Sequence, residues 1–440
     1  MGAVKRSLIG LVLITAAAVG GAWTYQATSR DRDYRVLLGR GDAALRDEQT
    51  FAAIEAYSGA IALRPDSMLA HLRRGETYQR RGDLEAAARD YQTAAILDAM
   101  ATRPLEELAD IRYAQQRFHR AAEIYEQALR LDDRAARVSY KLALARYRDG
   151  RADAALTSLE TTLRLDDRMT DAYYLQALCF REQRRPAEAQ RALEKAISLS
   201  PGLIAAREEL ADLYGSLGRR SDQLEQLHVL AGLDRNRVER QIAIGRAHAE
   251  WAGDSRENAP KRAAQTNLAV LTLGNALERT PDQLQIYAAL GRIWLDLAQD
   301  RTDAVAMNKA LEALERAASS SAATSEALTL YGRALLQSGR ADLAERTLQQ
   351  ATERFPVDPA AFRHFADAAE QQNHFDAARR ALLQYDALVG DDDALADRAA
   401  RIAALSLKVD DRATAAVWVA RGLDKSPEDE SLLALRRRLP

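Results

Sequence analysis

A single cysteine, Cys179, stands in 440 residues, so the chain can form neither an intrachain disulfide nor a thiolate metal site. Its place in a helical pattern makes it a small buried hydrophobe. Glycine and proline are scarce, 22 and 10 residues, and no long Val/Ile/Thr alternation occurs, which leaves helix as the dominant state. Lysine and arginine total 62 against 64 acidic residues, so no net field draws nucleic acid. Catalytic signatures are missing as well. None of the 6 histidines falls in HExxH or pairs i, i+4 with another, and GxSxG, Walker, GxGxxG and CxxC patterns do not occur. Asp391-Asp392-Asp393 lacks the spaced ligands and closing glutamate of a calcium loop and reads as a solvated connector. Arg40-Gly41-Asp42 falls inside a helical register, whereas an adhesion ligand needs an exposed loop. The chain is therefore expected to be no enzyme and to hold no cofactor or metal.

What the sequence does contain is a period. Residues 170–203 read TDAYYLQALCFREQRRPAEAQRALEKAISLSPGL. Tyr173, Gln176, Ala177 and Phe180 follow the i, i+3, i+4, i+7 spacing of one helix face, and Ala189, Leu193 and Ala196 repeat it after a break. Pro186 suits the first position of the second helix, where its missing N–H would be unpaired anyway. Two amphipathic helices per 34 residues cannot bury their stripes alone and must stack on neighbours.

This unit resembles the tetratricopeptide repeat, with a small residue at position 8, Ala at 20, a large residue at 24 and Pro at 32. Counting from Thr170, these are Ala177, Ala189, Leu193 and Pro201. The same frame starts six consecutive units at Tyr34, Met68, Thr102, Ala136, Thr170 and Ile204, covering 34–237. Two elongated units fill 238–324, with 250–261 between the helices of the first and extra residues around 300–307 in the second. Regular units begin at Ser325 and Pro359, and an eleventh runs over 396–429 after three extra residues, so that three repeats fill 325–429. The tail 430–440 reads as a capping helix.

Position 8 is Gly or Ala in all eleven units, from Gly41 and Gly75 to Ala366 and Ala403, and position 20 is Ala in ten, Gln223 being the exception. A larger side chain at these close approaches would overpack by about 1–3 kcal/mol. Gly82, Gly150, Gly218 and Gly339 share position 15, where a left-handed cap ends the first helix. The expected fold is an all-α superhelical solenoid of about eleven helix-turn-helix repeats.

At the N-terminus, Lys5 and Arg6 precede an uncharged stretch over 7–29. As a helix it would be about 34 Å long against roughly 30 Å of hydrocarbon. Trp23 and Tyr25 fit an uncleaved anchor, while the run Thr15-Ala16-Ala17-Ala18 fits a signal-peptide end. Residues 1–29 thus read as a hydrophobic helix, a signal anchor or a signal peptide. The corresponding location is the inner membrane, single-pass, with the array facing the periplasm; a cleaved periplasmic form and a cytoplasmic array are the alternatives.

The resemblance implies that the first helix of each repeat lines a concave groove through positions 5, 9 and 12. Position 9 is acidic in repeats 1–3 (Asp42, Glu76, Asp110), apolar in 4 and 5 (Leu144, Leu178) and basic in 7–9 (Arg246, Arg292, Arg333). Tyr113, Tyr140, Tyr147 and Tyr174 occupy positions 12 and 5 around the apolar part. Exposed aromatics are common anchors of binding sites. The candidate peptide-binding groove is therefore Tyr113, Tyr140, Leu144, Tyr147, Tyr174 and Leu178, with the three arginines taking an anionic part of the same or another partner. Two plainer roles compete: Tyr113 and Tyr147 could replace the aromatic missing at Arg112 and Arg146, and Arg246 and Arg292 could pair with Glu250 and Asp296 on their own helices. The chaperone-binding branch of the family is not supported, because Leu38 and Asp42 stand where its Lys and Asn belong. The expected function is a non-catalytic cell-envelope scaffold that binds extended protein segments, with no nucleic acid and no small-molecule substrate. A docking subunit of a glycosyltransferase or polysaccharide-export complex, or an RNA-binding helical repeat, are the alternatives.

Overall fold

The computed structural model describes residues 26, 28–255, 258–301 and 303–439. Among them are helices, turns and bends but no strand. Eleven helical hairpins follow one another along the chain; in repeats 2–5 and 7–11 the first helix (A) packs on its own second helix (B), and within each compact unit B packs on the next A. Helix A of repeat 1 spans 28–46 and its helix B Thr50–Leu63. Repeats 3, 4 and 5 carry their A helices at Thr102–Ala114, Ala136–Arg148 and Thr170–Glu182. Glu430–Arg436 closes the array and buries Leu432 and Leu435.

The chain divides into two compact units, Met1–Leu210 and Ala211–Pro440. In the first, the core of each early hairpin is a tyrosine at position 24. Tyr57, Tyr91 and Tyr125 are almost fully buried on helix B and reach back to helix A of the same repeat. Their hydroxyls donate to Asp42 (2.8 Å), Gln79 (2.6 Å) and Asp110 respectively. Burial pushes all three phenols far up, so they remain protonated donors. The small residue at position 8 makes room for this ring: a Cβ on Gly75 would sit 2.9 Å from Tyr91. In the second unit leucine takes over, Leu273 facing Gly245 and Leu314 facing Gly291. Gln223, the odd residue at position 20, fits because Gly215 lies opposite; a Cβ there would be 2.7 Å from the Gln223 amide.

Position 15 is left-handed in nine repeats whether or not glycine is present. Gly150 has φ of 76°, and Arg184 holds the same turn at 56°. Left-handed backbone costs a side-chain-bearing residue about 1–2 kcal/mol, so the turn geometry is imposed by the hairpin packing. Repeats 7 and 8 have buried Ala252 and Ala298 at this position and no stop. Their helices run on instead. Helix A of repeat 7 spans Val238–Asp254 and helix B Ala259–Arg279, so the extra residues over 250–261 are largely helix rather than a connection. Repeat 8 likewise extends over Leu284–Arg301 and Ala304–Ala318.

The expected single-pass inner-membrane location is overturned: among the described residues no helix is long and apolar enough to cross a membrane. Membrane attachment through an N-terminal helix falls with it as a partner assignment. The segment 1–29 on which those expectations rested lies outside the described residues, except for helical residues 26, 28 and 29.

Candidate functional site

Tyr113, Tyr140, Leu144, Tyr147, Tyr174 and Leu178 all lie in the first unit, on the A helices of repeats 3–5, and all are half-buried. Tyr113 meets Phe118 edge-on at 5.2 Å, and Tyr140, Leu144, Tyr147 and Leu178 pack beside a core of Ala143, Leu159, Leu175 and Cys179. The arginines at position 11 are engaged elsewhere. Arg146 donates to Ser158 (2.5 Å), the Ala154 carbonyl (3.1 Å) and Glu126 (2.7 Å), while Arg112 donates to Gln115 (2.8 Å). Tyr113 and Tyr147 pack against the cores of their repeats and leave part of each ring accessible.

Tyr113, at position 12 of repeat 3, lies near Tyr140, at position 5 of repeat 4. Burial, Asp171 and Tyr113 together push the Tyr140 phenol up to about 12. Burial and the Glu182 carboxylate likewise raise Tyr147. Cys179, beneath this surface, is fully buried, and its thiol is pushed up to about 12 by burial first and Glu182 second. It is an inert packing atom at neutral pH.

The flanking charges are committed within the chain. Glu76 accepts from Arg73 (3.0 Å) and Arg103 (2.5 Å), and Lys141 bridges Glu106 (2.8 Å) and Asp110 (2.5 Å). Asp42 and Asp110 also receive the buried tyrosine hydroxyls. The acidic stripe of repeats 1–3 is therefore a structural ladder joining one repeat to the next. Nothing in the sequence period shows this, because the partners stand at positions 2 and 6 of the following unit.

In the second unit, neither same-helix pair proposed for the arginines forms. Arg292 pairs with Glu326 of the next repeat, Arg333 reaches back to Asp296 at 3.4 Å, and Glu250 goes to Arg220 at 2.6 Å. Arg246 is exposed and meets no carboxylate among the described residues; it borders a cleft of about 490 Å³. Arg292 lies at a neighbouring cleft of about 660 Å³ beside Arg354 and Phe355, the latter almost wholly exposed. Those two residues stand on a connection between hairpins and carried no sequence signal.

Stacked helical hairpins with a small-residue seam define a helical-repeat protein. The sequence matches the tetratricopeptide repeat family over 38–102, 106–159 and 140–204, and again over 302–363, together just over half of the chain. It belongs to that family. No curated protein matches the sequence. Solved structures similar to it include YrrB, described as a TPR protein with an unusual peptide-binding site, at 20% identity over 43% of this chain and 97% of that one with a TM-score of 0.38. PilF of Pseudomonas aeruginosa is 20% identical over 48% and 97%, TM-score 0.40. The C-terminal part of a TPR protein of Cytophaga hutchinsonii is 15% identical over 56% and 98%, TM-score 0.46.

Proposed function

We propose that the protein is a non-catalytic scaffold that holds extended segments of partner proteins against the A helices of repeats 3–5. The observation that carries this reading is the contrast along position 9. Acids in repeats 1–3 are tied up by the next repeat's cations and by buried phenols. The stretch from Tyr113 to Leu178 presents half-buried aromatic and aliphatic surface instead. Such rings bury large area on contact at low entropic cost, which makes them suitable anchors for a partner chain. In the second unit Arg246 is the position-9 arginine with an uncommitted charge, and Arg292 and Arg333 would have to exchange Glu326 and Asp296 for a partner's carboxylates.

A labelled peptide of repeating Gln-Pro-Leu triplets supplies an extended, uncharged, apolar probe. Fluorescence anisotropy should show it bound by the wild type. Tyr140→Ala combined with Tyr174→Ala should weaken binding by at least about thirtyfold, two anchor positions being lost, with helicity by circular dichroism unchanged. Equal affinity in the double variant would remove the tyrosine surface from the account.

A further inference from the structure

The tyrosine surface has a charge character that its apolar residues hide. Around it, Arg137 and Lys141 are paired with Glu106, Lys141 also with Asp110, and Arg181 is paired with Glu209, so these cations are already neutralised within the first unit. Two carboxylates are not. Asp171, in the first turn of helix A of repeat 5, and Glu182, at the end of the same helix, are exposed, and no cation among the described residues pairs with either. Among the described residues of the A helices of repeats 4 and 5, Arg148, exposed at the end of the first and near Tyr147, is the one cation that meets no carboxylate. The uncommitted charge around the rings is therefore net negative, and it is carried by groups at both ends of one helix.

The rings and the carboxylates also adjoin. Asp171 holds the position from which Arg137, one repeat earlier, reaches Glu106, and Tyr140 holds the position of Glu106; Glu182 accepts the Tyr147 hydroxyl, and both acids act on the phenols beside them. An aromatic face with an acid beside it favours a cation, since the ring quadrupole and the carboxylate both attract positive charge. Resting on the peptide-binding reading above, we infer that the segment held across repeats 3–5 is basic: an extended chain presenting lysine or arginine beside Tyr140 and Tyr147, with an apolar residue between them over Leu144. Asp171 supplies the counter-charge beside Tyr140 and Glu182 beside Tyr147. The long aliphatic stem of a lysine lies along the rings while its ammonium reaches the acid. An acidic segment would meet Asp171 and Glu182 with like charge and lose contact at both places.

Three labelled peptides of Xaa-Pro-Leu triplets, with Xaa as Lys, Gln or Glu, separate this inference from the reading under it. The Lys peptide should bind about tenfold more tightly than the Gln peptide, and the Glu peptide more weakly than either. Raising salt should close the gap between Lys and Gln. Asp171→Asn with Glu182→Gln should bring Lys down to the Gln affinity, whereas Tyr140→Ala with Tyr174→Ala should weaken both. Asp171→Asn alone serves if the double variant loses helicity, and should cost part of the Lys advantage. Equal binding of Lys and Gln, or preference for Glu, overturns the basic-segment inference and leaves the peptide surface standing. Binding of none of the three overturns both.

Discussion

A single methyl group separates the two kinds of position 8, and how closely the side chain opposite approaches decides which is tolerated. In repeat 5, Ala177 and Leu193 are both fully buried and coexist. In repeat 7, a Cβ on Gly245 would lie 2.6 Å from Cγ of Leu273, itself fully buried and unable to move aside. Gly245→Ala gains about 1 kcal/mol of helix propensity, but overpacking costs about 1–3 kcal/mol, so a net loss of roughly 1 kcal/mol is expected. In a Leu273→Ala background the same substitution should become stabilising. Urea denaturation of the four members of this cycle, followed by tryptophan fluorescence, measures the coupling, and additive free energies would contradict the steric account. Small residues at position 8 were legible in the sequence because they recur at a fixed interval. The choice between glycine and alanine was not, since it depends on a contact across the hairpin, and neither was the fit of Gln223 against Gly215.

At the scale of the helix, what repeats can be read and what happens once cannot. Hairpins, turns and the seam follow from a pattern sampled eleven times, whereas in repeats 7 and 8 inserted residues carry the helices on through Ala252 and Ala298, an arrangement the other repeats do not share. The tyrosine surface was visible as a column, but the commitment of the position-9 acids to Arg73, Arg103 and Lys141 was hidden, because each bond joins residues in different repeats. The connector between repeats 10 and 11 departs most from its sequence reading. Asp391-Asp392-Asp393 is pinned rather than merely solvated: Arg398, buried, donates to Asp386 (2.7 Å), Asp392 (2.8 Å) and the Gly390 carbonyl (2.7 Å). Arg421 adds bonds to Asp386 (2.7 Å) and Asp391 (2.5 Å). Removing one member of such a buried set strands the others. Arg398→Ala should therefore destabilise repeats 10 and 11 by about 3–5 kcal/mol, with Trp418 as the local fluorescence probe. Replacing the pair, Arg398→Met with Asp386→Leu, should cost less than Arg398→Ala alone. A larger loss in the pair would show that the charges contribute net stability.

Acid response belongs to the whole chain, because lowered carboxylates occur in both compact units while a raised one stands in the first. In the second unit three aspartates are held below the ordinary value of 3.8. Burial would raise Asp367, but His364 and Arg401 outweigh it; Arg398 lowers Asp392, and the Thr414 backbone and hydroxyl with Arg379 lower Asp411. A depressed carboxylate stabilises the fold above its unfolded value, and that contribution is lost as pH falls from there through the folded value. In the first unit the lowered groups, Glu123 by Arg120 and Glu188 by Arg185, are solvent-screened pairs that contribute little, and Glu107 is shifted the other way, raised by burial and then by Asp110 and Glu76. Its contribution is full below the unfolded value and lost as pH rises, so acidification does not weaken that unit through this group. Repeats 10 and 11 should consequently loosen first as pH falls below about 3.8. The probes are separated once Trp23 is replaced by phenylalanine, because Trp251, Trp294 and Trp418 all stand in the second unit and 28–210 contains no tryptophan. Tryptophan fluorescence should thus change at a higher pH than the bulk of the far-UV circular dichroism, and Asp367→Asn should shift the fluorescence transition while leaving the later loss of helicity in place. Coincident transitions, unmoved by that substitution, would mean that the carboxylates governing acid unfolding are spread evenly over both units.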